Sequence, residues 1–366
     1  MRGEVQVRNE LRSLTSARGI AAWYVVLYHI RESAAGAIPP AGMAFLAKGY
    51  LAVDFFFILS GFVIWLNYRE LIEDQRWRAV PHFLWRRLAR IYPLHLLMLG
   101  LAIGFALVCA VTGRPLSADY SWATLPYHLL LMQNWGLLDR LGWNVPAWSI
   151  SCEFAAYLLF PLLALACDWR RLSSLSLAAL LALLPLALFG LFTLAGKDLL
   201  GNDIPHLGLP RCLLEFAMGT ILAALWLRWR EAPGGTAMVA AASGLAALLA
   251  YLAGAPEVLS VPVLFAALVM LLALRADGTG FLAARTIHWM GEISYAVYLS
   301  HALLFMIFKI AFVRDPANVP LPLLGAFLLL VLLVSSLLYH GFELPAQRWL
   351  NRRGPVRPAG RASIGD

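Results

Sequence analysis

Apolar runs of about the length of a bilayer crossing follow one another along the chain, separated by short arginine-bearing connectors. A membrane span needs roughly 20 mostly apolar residues. Ten stretches qualify: 16–32, 49–68, 91–112, 146–167, 173–195, 207–228, 236–254, 258–274, 290–312 and 321–342. The pattern predicts an all-α, polytopic membrane helix bundle of about ten transmembrane helices. Ala255-Pro256-Glu257 predicts a tight hairpin between the seventh and eighth spans. The stretch 113–145 carries Trp122, Tyr127, His128, Trp135 and Trp143 and predicts an interfacial or re-entrant helix. No repeat or low-complexity tract breaks the series. Residues 1–350 therefore read as one transmembrane domain, and 351–366 (from about Arg352, RRGPVRPAGRASIGD) as a disordered tail.

The connectors set the orientation. With the N-terminus in the cytoplasm, inner segments hold three Lys or Arg for every one in the outer segments, the bias expected of cytoplasmic loops. Ten spans then place both termini inside. The net charge of +8 is explained by this bias and by anionic headgroups, so membrane lipid is the expected partner and nucleic acid is not.

Composition agrees: 61% of residues are hydrophobic and 14% charged, too few charges to cover a water-soluble globule of this size. Cys109, Cys152, Cys167 and Cys212 fall in or beside apolar runs without metal-ligand spacing and read as small buried hydrophobes. There is no His/Cys cluster, Walker loop or dinucleotide fingerprint, so no metal and no permanently bound cofactor is expected.

Ionisable groups inside spans are costly and usually face the protein interior. Arg18 and His29 are eleven residues apart, which puts them within about 20° on one helix face and about 16 Å apart along it. They read either as a cation near the cytosol with a proton-transfer group well across the bilayer, or as a loop anchor and a core histidine. Glu153, in WNVPAWSISCEFAAY, lies about two turns inside the fourth span at the depth expected for His29. A His29–Glu153 pair would orient the imidazole and stabilise its cation; pairing of Glu153 with Arg211 is the structural alternative. Asp54 sits near the outer end of the second span. Ser60-Gly61 sits near its centre, where a packing role is expected, since no G-x-S-x-G elbow marks Ser60 as a nucleophile. Arg86, Arg87 and Arg90 cluster before the third span, as positive-inside charges or as a phosphate site suited to the planar guanidinium. The ninth span holds Glu292, Ser294, Tyr295, Tyr298 and His301, the last read as an interhelical hydrogen bond or as chemistry. Glu343, ending the tenth, is expected to pair with an inner-loop arginine.

These segments together resemble the membrane-bound acyltransferase 3 family, the bacterial O-acyltransferases and O-acetyltransferases. Arg18 and His29, in LTSARGIAAWYVVLYH, match its Arg-x10-His. GYLAVDFFFILSGFVI, WRRLARIYP, WNVPAWSISCEFAAYLLFP, RCLLEFAMGTIL, GEISYAVYLSH and FELPAQRW match six further elements in order, from about residue 12 to 349. Ile150 stands where the family usually has Leu, and no soluble esterase-like domain follows. The resemblance implies an acyl donor, usually acetyl-CoA, a hydroxyl acceptor on a glycan or related molecule, a multi-pass inner-membrane location, and essential Arg18 and His29. The expected mechanism holds the acyl-CoA phosphates on Arg18, Arg86, Arg87 and Arg90, with His29 as general base oriented by Glu153. Ser149, Tyr298, His301, Asp54 and Arg211 are candidates to bind substrate or stabilise the oxyanion. A proton-coupled transporter or flippase of a lipid-linked sugar is the alternative, although no inverted repeat is visible.

Overall fold

In the computed structural model, residues 12–275, 280–315 and 319–357 are described. Among them the regular structure is helical, with no strand. The long helices are α1 (Arg12–Ile30), α2 (Ala52–Gln75), α3 (Val80–Val111), α4 (Ala147–Ala166), α5 (Ser174–Leu194), α6 (Ile204–Trp229), α7 (Pro233–Leu252), α8 (Glu257–Leu274), α9 (Ser294–Phe312) and α10 (Leu321–Leu338). Each of the ten expected segments falls on one of them. Eight stretches are long and apolar enough to cross a membrane; one, Pro40–Val111, runs 72 residues and contains both α2 and α3, while α1 is not among the eight. The chain is an integral membrane protein.

Several boundaries differ from expectation for local reasons. The arginine-rich approach to the third span is itself helical, so α3 runs 32 residues with Pro93 inside it. The α4–α5 connector is tied down by charge: Arg69 bridges Glu73 and Asp168, and the Arg170 guanidinium bonded to Asp168 holds that carboxyl below the usual range. The stretch 113–145 forms only the turn Trp122–Thr124 and the five-residue helix Leu125–Leu129. The rest is irregular, with left-handed backbone at Leu131 and Trp143. Past α10, a π-helical turn, Tyr339–Glu343, leads into the helix Leu344–Arg353, so the expected tail is ordered at its start. Residues 358–366 of that tail, and Arg2 and Arg8 of the inner N-terminal segment, lie outside the described residues.

Two backbone-to-backbone crossings position the site. A Cβ on Gly61 of α2 would run into the Phe216 backbone of α6, and one on Gly219 into the backbone of Ile58. A Cβ on Gly19 of α1 would strike Met290 and Gly291 in the short helix Arg285–Glu292, and one on Gly291 would strike Thr15. Small residues allow such approach, which van der Waals packing then stabilises inside a membrane. Gly61→Leu is therefore expected to lower the thermal midpoint in detergent, by an overpacking cost of about 1–3 kcal/mol or more. Gly100→Leu, where an added Cβ meets nothing within 4 Å, serves as the neutral control. Equal midpoints for the two variants would rule out a close α2–α6 crossing.

Candidate active site

Arg18 projects from α1 toward the start of α9. Its Nε donates to Ser294 Oγ at 3.0 Å and its Nη2 to Gly291 O at 2.9 Å. Arg87 of α3 donates from Nη2 to Tyr68 Oη at 2.8 Å and lies over that ring at 4.9 Å; its Nε is buried without a partner. Among the described residues, neither guanidinium has a carboxylate in ion-pair range. Arg90 does, pairing with Glu343 as expected of an inner-loop arginine. All three arginines line one cavity of about 250 Å³, whose walls also include Ser60, Glu153, Tyr157, Ser149, Tyr295 and Tyr298. The cavity thus gathers six of the expected site residues from α1, α3, α4 and α9. Arg86 is not one of them. It lies about 100° round the helix from Arg87 and is exposed away from the lining.

His29 is held elsewhere than expected. Its Nδ1 lies 2.9 Å from Val25 O and 3.2 Å from His301 Nε2, with ring centroids 4.9 Å apart. His301, fully buried on α9, places its own Nδ1 3.1 Å from Val297 O. Arg18 and His29 therefore share one face of α1, as their spacing requires, and that face meets α9 twice, at Ser294 and at His301. These two positions are seven residues apart, about 10 Å along α9.

Glu153 does not orient His29. Its Oε1 accepts from Ser60 Oγ at 2.5 Å and from the Tyr157 hydroxyl. Tyr157 stands one turn further along α4, and the face they share meets α2 at Ser60, beside the Arg18 end of the cavity. Ser60 accordingly does more than pack, while Gly61 takes the packing role. Arg211 is not a partner of Glu153 either. Its Nε and Nη2 each lie 2.6 Å from an oxygen of Asp54, and its Nη1 donates to Leu200 O at 2.7 Å. Both side chains are buried and pair with one another, and neither lines the cavity.

Tyr298 closes the cavity toward the histidines. Its hydroxyl is 2.8 Å from Ser149 Oγ, its ring is 6.1 Å from His301, and Phe56 meets it edge-on at 5.9 Å. His29 and His301 are not on the lining; Phe56 and Tyr298 are.

Other polar groups escaped sequence reasoning. Tyr157 was signalled by the WNVPAWSISCEFAAYLLFP element and its i+4 spacing from Glu153, but without a role. Glu215, one turn past Arg211 on α6 and within RCLLEFAMGTIL, is fully buried against the Asp54 carboxyl group. Glu257, counted only as hairpin, is buried under Lys48 Nζ at 2.7 Å, Tyr50 Oη at 2.5 Å and the Leu200 amide at 3.0 Å.

The chain matches a family model described as an acyltransferase domain over residues 11–340. It is similar to acyltransferase MdmB of Streptomyces mycarofaciens, at 32% identity over 95% of each chain. It is also similar to the exopolysaccharide production protein ExoZ of Rhizobium meliloti (strain 1021), at 27% identity over 86% of this chain and 95% of that one. No solved structure matches. A helical membrane bundle that carries the ordered motifs and matches this family model over nearly its whole length belongs to the acyltransferase 3 family and is a membrane acyltransferase.

Proposed function

We propose that this enzyme moves an acyl group, acetyl in the first instance, from cytosolic acyl-CoA to a hydroxyl of a glycan or related acceptor at the outer side of the bacterial inner membrane. The observation that carries the reading is the pair Arg18 and Arg87: two guanidiniums facing one intramembrane cavity without a carboxylate partner. Unpaired buried charge is expensive, so the cavity suits an anionic ligand, and guanidinium geometry suits phosphate. Arg90, held by Glu343, flanks them. The coenzyme's phosphates occupy this end, and its pantetheine arm extends past Ser60 and Glu153 toward Tyr298.

Transfer takes place at the opposite end. Tyr298 and Phe56 turn aside to bring the thioester against His29. The Tyr298 hydroxyl, steadied by Ser149, faces the oxyanion. His29 takes the acceptor hydroxyl's proton as that oxygen attacks the thioester carbon; the C–S bond breaks, and the leaving CoA thiolate recovers that proton from His29 as it departs. The similarity to the exopolysaccharide production protein ExoZ supports a saccharide acceptor.

Purified protein in lipid nanodiscs tests the donor half. Acetyl-CoA is supplied and the released thiol measured. Arg18→Ala and Arg87→Ala are each expected to raise the KM for acetyl-CoA about 10- to 100-fold, the worth of a hydrogen bond to a charged group. The ratio of variant to wild-type KM should narrow with added salt, because screening weakens the wild-type contact that the variant already lacks. An unchanged KM in both variants, or sugar flux across proteoliposomes without CoA release, would replace this reading with a carrier.

A further inference from the structure

We propose that His301 is the positioning residue for His29, in the place that Glu153 was expected to fill. The inference rests on His29 being the transfer base and specifies how that base is prepared. Proton bookkeeping at three contacts carries it. A backbone carbonyl oxygen only accepts, so the 3.1 Å contact to Val297 O puts the His301 proton on Nδ1. Neutral His301 then carries its lone pair on Nε2. The 2.9 Å contact to Val25 O likewise puts the His29 proton on Nδ1, and that N–H is shared with the His301 lone pair at 3.2 Å. Both tautomers are assigned from the hydrogen-bond network. Reversing His29 would set its Nδ1 lone pair against two acceptors at once. Reversing His301 would set N–H against N–H across the pair and lone pair against the Val297 carbonyl.

One nitrogen is left over. His29 Nε2 bears a lone pair and has no hydrogen-bond partner among the described residues, which is the state a general base needs before it meets a hydroxyl. Each ring is anchored to the carbonyl one turn back in its own helix, so both imidazoles are aimed by backbone rather than by mobile side chains. When Nε2 takes the acceptor's proton, His29 becomes a cation. Its Nδ1–H bond to His301 then becomes charge-assisted and strengthens. His301 therefore stabilises the state formed during transfer more than the resting state, the requirement for acting on turnover rather than on binding. It does so as a neutral acceptor, where hydrolytic triads use a carboxylate. The surrounding groups are Tyr28, edge-on to His29 at 5.0 Å, Arg31, drawn over the Tyr28 ring at 4.1 Å, and Tyr298 beside His301. None places a carboxylate within ion-pair reach of either imidazole.

The test uses the full-length protein in nanodiscs with acetyl-CoA as donor and water as acceptor, read as released CoA. His301→Leu is expected to lower kcat about tenfold, the extra worth of a hydrogen bond once its donor carries charge, with KM for acetyl-CoA unchanged. His301→Gln, whose amide oxygen can accept from His29 Nδ1–H, is expected to recover most of the loss. In wild-type protein labelled with ¹⁵N-histidine, His29 should show a protonated Nδ1 and an unprotonated Nε2. That spectrum decides the matter even if His301→Leu fails to fold. Wild-type kcat in His301→Leu, or a His29 proton on Nε2, overturns the proposal. If His29→Ala keeps wild-type CoA release, the base assignment itself falls, an outcome recognisably different from failure of His301 alone.

Discussion

His29→Ala is expected to reduce acyl transfer by about 10²–10⁴-fold, the usual contribution of a positioned general base, while leaving the protein folded. The two halves of that expectation have separate grounds. His29 makes no ion pair among the described residues, is only partly buried and shares its N–H between a backbone carbonyl and one neutral ring. Its loss leaves no stranded charge, and Val25 O keeps its place in the α1 hydrogen-bond ladder. The measurement pairs CoA release with the thermal midpoint of the same preparation. A parallel collapse of midpoint and rate would make His29 a structural residue and remove the chemistry from this end of the bundle. Arg18→Ala offers the contrast, since it is expected to act through acetyl-CoA affinity rather than turnover.

Arg211→Ala is expected to do the reverse: abolish the fold. Arg211 and Asp54 form two 2.6 Å contacts in a fully buried setting, with the Glu215 carboxylate close by on the same helix. Removing the cation strands an uncompensated carboxylate in the bundle interior, at a cost of about 3–5 kcal/mol. That is a large part of the margin by which proteins are stable. Fluorescence-detected size exclusion should show aggregated or degraded protein. The pair Asp54→Asn/Arg211→Met is expected to restore a monodisperse peak, because removing both members of the ion pair strands neither of them. Full stability of Arg211→Ala alone would mean that Asp54 is not charged in the folded protein.

The spans were legible because the length of an apolar run is a property of one dimension, and a membrane leaves the helix as the only solution for such a run in a chain of this pattern. Depth along each helix was legible for the same reason. Arg18 and His29 meet one partner helix at two heights, as their spacing required, and Arg90 finds Glu343. Azimuth between helices was not legible. Glu153 and His29 were matched by depth, yet the face carrying Glu153 and Tyr157 meets Ser60 on α2. Asp54 and Arg211 were read as substrate contacts, although they face each other across α2 and α6. The irregular stretch after α3 was opaque for a further reason. Its shape is set by buried amides bonding distant carbonyls: Gln133 to Ala147, Asn134 to Ile204 and Asn144 to Leu299. No periodicity announces such bonds.

The edge-on contact of Phe56 with Tyr298 has an electrical consequence. A passage lined by unpaired guanidiniums and open at both faces would conduct anions and discharge the cell. Two aromatic rings between the arginine cavity and the imidazoles interrupt that path with a layer only a side chain thick. Each elementary charge that crosses 100 mV exchanges about 2.3 kcal/mol. In the proposed mechanism the neutral acyl group crosses this layer without electrical work, and the phosphates of an acyl-CoA donor stay on the arginine side.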